Sequence, residues 1–427
     1  MPPQHAFPIL PAMTTFIDSK QIPAAAQSRP ETPEQVREAI EHAQARGLRL
    51  AVVTTGHGMK PLGSLVDSMV LDMSGFDSIG IDVENRVAKV GAGVRWQQLV
   101  EAAAPHGLTA PFGSARSVGV VGYSTGGGIG PLGRALGLGA SAIVGADLVT
   151  AGGEIVHVDE DSDPELLWAL RGGGGGFGVI TSIEIQLSEV EKITGGNLVF
   201  PFERASEVLE AWSGWLETVP AHLTSSVRLI QPAPGQGIVI VAASSPAPEA
   251  EVLKAIQPML DLGPVANAVK SVDPATFINE NTDPDDGPPV HIEHTLIDTL
   301  DPAAIDAAIA SADPAAQSPL MMSEFRHLGG ALGEPGRPGA QSYVDGKFIY
   351  FVMGPPETKA SLSHAVDQVC DFGHGRAYFN FAVEPQKREA MFQDEAVDRL
   401  NRVFDRVDPI RFFHHAHPVE PVREGAV

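Results

Sequence analysis

Glycine is crowded into two places in this chain. GGG occupies 126–128 within a glycine-rich stretch running from 113 to 139, and GGGGG occupies 172–176. Runs without a Cβ carry no core side chains and lose the most backbone freedom on folding. They are worth that cost where the backbone must take left-handed angles or come close to a ligand. A flexible linker would spread its glycines among serines rather than pile them up twice. The fold must therefore present glycine-rich loops to something large, and such loops can cradle a pyrophosphate.

With 427 residues there is room for two or three domains with sizeable cores, and 43% hydrophobic residues mark a globular chain. The formal charge is 29 − 53 = −24. That balance opposes a nucleic-acid or anionic-membrane partner. Cys370 is the single cysteine, which excludes an internal disulfide and a cysteine-rich metal site. The opening MPPQHAFPILPAM lacks a basic start and a long apolar centre, and no later run is long enough to span a bilayer. The expectation is a cytoplasmic protein.

TPEQVREAIEHAQARG (32–47) reads as a helix, with Thr32 and Gln35 as a capping box, Pro33 in the first turn and Gly47 as the stop. LRLAVV (48–53) then reads as a strand. A hairpin is expected over 78–93, a helix over 94–107, two strands over 141–159, a short helix at DPELLWALRG and a strand over 177–187. Hairpins mixed with helices indicate α+β rather than a parallel doubly wound sheet. From about 195 the texture changes to proline-rich joints, an acidic NENTDPDDGPP, strand-like GIVIVAA and KFIYFVM, and alanine-rich helical pieces. This reads as a second α+β domain.

GIGPLG (128–133) satisfies G-x-G-x-x-G, but GYSTGG before it is no hydrophobic strand, so a nicotinamide-type fingerprint is not supported. His57 is more telling. It follows the 48–53 strand in TTGHGMKPLG, between Gly56 and Gly58, so a large partner can approach its ring. His414, His415 and His417 cluster near the C-terminus without the spacing of a metal site. Glu324 and Arg326 flank Phe325 on an expected strand, where they either face a substrate or pair with each other.

The stretch GSARSVGVVGYSTGGGIGPLGRALGLGASAIVGADLVTAGGEIVHVD, followed by DPELLWALRGGGGGFGVITSIEIQL, resembles the flavin-binding half of the berberine bridge enzyme-like flavoproteins, in the vanillyl-alcohol oxidase (PCMH-type) superfamily. The likeness runs from about 30 to 190. SEFRHLGGALG (323–333), AYFNF (377–381) and VFDRVDPIRFFHHAHPV (403–419) are similar to further elements of that family.

The resemblance implies a PCMH-type FAD-binding domain over 1–190, an antiparallel-sheet substrate domain over 191–374, and a segment over 375–427 returning to the FAD domain. It places FAD against Thr54, Thr55, Gly56, His57, Gly58, Met59 and Gly63, then Gly113, Ser114, Ser117, Val118, Gly119, Gly122 and Tyr123. It adds Gly126, Gly127, Gly128 and Gly130, then Gly178, Val179, Ile180, Asn380 and His417. His57 aligns with the histidine that bonds the flavin 8α carbon, chemistry that needs the neutral imidazole available near pH 7. Ala115 stands where doubly linked relatives carry cysteine, so one covalent link is expected. Ala416 replaces the family's tail asparagine. Tyr378 and Asn380 fall where the family groups residues near flavin and substrate, and Val118 where it gates oxygen. The implied activity is hydride transfer from a small organic substrate to flavin N5, with O2 as acceptor. The alternatives are a dehydrogenase with another acceptor and an inactive flavin-binding protein.

Overall fold

A computed structural model describes residues 22–233, 235–281 and 289–417. The opening segment, most of the acidic 279–289 stretch and the residues after His417 lie outside these.

The mixed helix and antiparallel-sheet architecture is α+β. The expected early elements form as the patterning dictates. The helix Pro33–Ala45 starts at Thr32, whose side chain accepts the Gln35 N–H, and buries Val36, Ala39, Ile40 and Ala43. Ile79–Asp82 and Val87–Gly91 pair as the hairpin. They continue a five-stranded antiparallel sheet through Val179–Gln186, Ile143–Val149 and Ile155–Val158. The 94–107 segment forms a shorter helix, Trp96–Ala103, and a closing 3-10 turn.

One small sheet departs from the expected antiparallel pattern. Ala26–Ser28 and Arg49–Val53 both lie parallel to Ser68–Asp72 between them. The helix Pro33–Ala45 makes the crossover that parallel pairing requires. VVGYST forms a short helix, Val120–Thr125, so no strand precedes GIGPLG.

Residues 193–354 build an eight-stranded sheet whose pairings are all antiparallel. Its two faces follow the period of two. Val227, Leu229, Phe325, Tyr350 and Val352 pack against the helices Ala205–Leu216, Pro302–Ser311 and Lys359–Cys370. Ile230, Met322, Ile349, Phe351 and Ile292 turn the other way, onto Ile129, Leu138 and Tyr378.

The C-terminal part re-enters the first core. The helix Asp394–Val407 buries Val397, Leu400, Val403 and Phe404 there, and Phe404 stacks on Phe177 at 4.1 Å. Beyond it the chain runs alongside Arg49–Val53. Leu50 donates to the Phe412 carbonyl (3.0 Å), and His414 donates to the Leu50 carbonyl (2.8 Å). Asp408, fully buried, holds this turn by accepting the Phe412 and Phe413 N–H groups at 2.8 and 3.0 Å. Asp408→Ala strands two buried donors and should lower stability by about 2–3 kcal/mol in urea unfolding. A loss below about 0.5 kcal/mol would mean that the carboxylate does not hold the turn.

Candidate functional site

The strand Arg49–Val53 ends in the turn that carries Thr54, Thr55 and His57. Gly56 sits there at φ 84°, an angle that only glycine adopts without strain. Thr55 is buried and its hydroxyl oxygen accepts the N–H of Gly119 at 3.0 Å. The same hydroxyl lies 3.2 Å from His57 Nδ1, and the Ser117 hydroxyl lies 3.3 Å from Nε2. The imidazole is thus held edge-on between two hydroxyls. Which ring nitrogen donates and which accepts follows the imidazole tautomer, since each hydroxyl can do either.

This loop pair forms one wall of a cavity enclosing about 1660 Å³ of atom-free space, counted to its open mouth. Of the residues expected at a site, Thr54, Thr55, His57, Gly58, Gly113, Ser114, Ser117, Val118, Gly119, Gly122, Tyr123, Asn380 and His417 line it. Others stand behind the wall. Gly126 abuts Asn380, Gly127 abuts Gln341 and the Tyr378 hydroxyl, Gly128 abuts the Tyr123 ring, and Gly130 abuts the Phe112 carbonyl. Met59 packs in a small core with Val53 and Val70. Gly63 closes the turn over Lys60–Leu62. Gly178 precedes the strand that begins with Val179 and Ile180, in the five-stranded sheet.

Tyr378 is buried, and its own N–H donates to His294 Nε2 at 2.7 Å. Its side chain packs behind Gly127 and is not part of the cavity wall. Burial pushes its pKa well above the usual tyrosine value. His417 lines the cavity, its Nδ1 accepting the Gln386 N–H at 3.1 Å and its ring edge-on to Phe379. Burial, with Arg388 and His294 nearby, lowers its pKa to about 4. His414 meets the Ser68 hydroxyl at 2.8 Å, while His415 is packed edge-on against Phe404. No metal-ligand cluster forms among the described residues.

The opposite wall comes from the large sheet. Ile292, Met322, Glu324, Arg326, Phe351 and Met353 line it. Glu324 is 1% exposed and lies between Arg228 (Nε to Oε1, 3.0 Å) and Arg326 (Nη2 to Oε2, 2.9 Å). Sequence reasoning left Glu324 and Arg326 facing a substrate or pairing with each other; the structure pairs them, on the cavity wall. Lys60, Val290, Phe379, Phe381 and Val383 also line the cavity and were not singled out. The alternation in MSEFRH and FIYFVMG could have flagged the sheet residues, but no pattern marks Lys60 or Val290.

Residues 24–159 match a family described as FAD binding domain. The FAD-linked oxidoreductase YvdP of Bacillus subtilis is 32% identical over 235 residues, 53% of this chain and 51% of that protein. The chain spans about half the length of the curated relatives it matches. In three dimensions, 6-hydroxy-D-nicotine oxidase from Arthrobacter nicotinovorans superposes with a TM-score of 0.82 at 24% identity, covering 93% of this chain and 92% of that one. A variant of berberine bridge enzyme gives 0.80 at 19% identity, covering 92% and 90%. The chain carries an FAD-binding domain over residues 24–159. Its fold is the PCMH-type FAD-binding fold that these solved structures share.

The residues present fit FAD. Gly58 and Gly122 line the cavity, and a Cβ on either would project into nearly open space, with nothing nearer than the Thr54 hydroxyl at 3.7 Å from that of Gly122. Side chains there would fill the ligand's room. At Gly119 and Gly113, by contrast, a Cβ would come within 2.9 Å of Thr55 and 2.8 Å of the Tyr123 ring, so only glycine allows the backbones this close. The Tyr123 hydroxyl and the Asn380 amide oxygen are buried without a protein partner, and both residues line the cavity. A flavin bound there would bring hydrogen-bonding groups of its own to this polar lining.

Burial alone would raise the Glu324 pKa, but Arg228 and Arg326 outweigh it and hold the carboxyl at about 2, against an ordinary 4.5. A depressed folded-state pKa contributes stability above the ordinary value, and that stability is lost as pH falls through the folded one. The unfolding midpoints of wild type and Glu324→Gln should therefore differ by a constant amount above pH 4.5, and the gap should close toward pH 2. A gap that stays open on acidification would contradict the paired, ionised carboxylate.

Proposed function

We propose that this protein is an FAD-dependent oxidase of a small organic substrate, with the flavin attached once, through His57. The observation that carries the proposal is the His57 ring, set between the Thr55 and Ser117 hydroxyls on the wall of the cavity. When bound, FAD supplies the hydride acceptor for a substrate C–H and the route for electrons to dioxygen.

The chain's own residues would do the rest. The loops at 54–58 and 113–122, which contribute to the cavity wall, would hold the cofactor. His57 offers a ring nitrogen for the covalent bond. Ala115, also on the cavity wall, has no sulfur for a second bond, and Cys370 ends the helix Lys359–Cys370 in the other domain. Tyr378, behind Gly127, is read as a positioning residue for the GGG loop. Glu324 is too acidic to accept a proton near neutral pH. Val118 lines the cavity beside Ser117, and its short side chain leaves room for oxygen. The sheet face across the cavity bounds the substrate.

The test is to reduce the flavin-loaded protein anaerobically and mix it with oxygenated buffer in a stopped-flow instrument. Reoxidation should outpace free flavin by about tenfold or more, and Val118→Leu should slow it by a similar factor. Protein that binds no flavin would overturn the flavoprotein reading. Reoxidation no faster than free flavin, and unchanged in Val118→Leu, would overturn the oxidase assignment.

A further inference from the structure

The strand Met322–His327 sets Met322, Glu324 and Arg326 on the face of the sheet that looks into the cavity. Glu324 is buried between two guanidinium groups. Two positive charges against one negative leave the cluster with one net positive charge. Arg326 spends Nε and Nη2 on Glu324, at 3.4 and 2.9 Å. A guanidinium carries five N–H donors, and the structure gives those remaining on Arg326 no other acceptor among the described residues. The group also lies over the Phe381 ring, 5.4 Å from its centre. The side chain is only 11% exposed, so these donors are turned toward the cavity and away from bulk water.

The surroundings sharpen this. Glu324 is the only carboxylate on the cavity wall among the described residues, and Lys60 adds a second cation there. Ile129, Ile292, Phe351 and Met353 make the neighbouring surface apolar. The whole chain carries −24, so the cavity is a local reversal of sign. A preformed, desolvated guanidinium edge is suited to a carboxylate, which it meets with two parallel hydrogen bonds.

We propose that Arg326 anchors an anionic group of the substrate, a carboxylate, whose remaining body is apolar. The inference rests on the cavity being the substrate chamber of the flavoenzyme described above. Glu324 is a positioning residue: it holds Arg326 over the Phe381 ring, while Arg228 offsets the Glu324 charge.

The experiment uses the full chain loaded with flavin and three small probes of one shape: phenylacetate, phenylacetamide and phenethylamine. Binding is measured by calorimetry, which needs no turnover. Phenylacetate should bind about tenfold or more tighter than phenylacetamide, and phenethylamine weakest. Arg326→Met should abolish the preference for phenylacetate while leaving phenylacetamide affinity within about twofold. Glu324→Gln removes a negative charge and should keep or strengthen the preference. If Arg326→Met fails to fold, Arg326→Gln carries the same expectation. Equal affinities for phenylacetate and phenylacetamide, no binding of either, or a preference that survives loss of Arg326 would each overturn the proposal. Flavin content, read by absorbance on the same sample, separates the two failures. Protein without flavin sinks the underlying reading, whereas flavin-loaded protein indifferent to probe charge sinks only the anion anchor.

Discussion

Gly119 donates its N–H to Thr55 across 64 residues of chain, at 3.0 Å and out of contact with solvent. This bond joins the turn after the Arg49–Val53 strand to the loop that enters the Val120–Thr125 helix. The two segments lie far apart in the chain, so nothing in local propensity would bring them together. Gly119 must be glycine for the approach, since a Cβ would press on the very threonine it bonds. Thr55 in turn sets the His57 ring. The geometry at the imidazole therefore depends on one buried polar contact, and leaving either partner unsatisfied would cost about 1–3 kcal/mol.

The remaining architecture keeps that contact in place from two sides. Behind it, the chain beyond the Asp394–Val407 helix pairs with Leu50, so the strand leading to His57 is flanked by Ser68–Asp72 and by the returning segment. In front, the large sheet offers a face that alternates apolar residues with the Arg228–Glu324–Arg326 cluster. The helices that cover the sheet's other face leave this one free to close the cavity. Burying three charges is expensive unless they are paired. Their pairing here fixes the direction of Arg326 more than it adds stability.

Much of the first core was legible in the sequence because local signals agreed there. Thr32, Pro33 and Gln35 marked a helix start, and the two apolar runs around Glu84-Asn85 marked a hairpin. The glycine clusters and His57 pointed to a ligand-binding loop pair, and the resemblance supplied the ligand. Less was legible where a position depends on distant chain. The three-stranded parallel sheet is built partly from a three-residue strand, Ala26–Ser28, too short to show a period. Lys60 reaches the cavity wall from a 3-10 turn, with its Nζ donating to the Val290 carbonyl 230 residues away. The sequence offered Tyr378 and Asn380 as a pair, and both abut the GGG loop, yet only Asn380 lines the cavity. Asn380 donates to the Tyr123 carbonyl on the cavity side, and Tyr378 lies behind Gly127.

The most direct measurement is mass spectrometry of peptides from acid-precipitated protein. Attachment through His57 alone predicts a yellow precipitate and one FAD on the peptide that contains His57. It also predicts an unmodified peptide containing Cys370. A colourless precipitate with all the flavin in the supernatant would contradict it, as would flavin carried by any other residue.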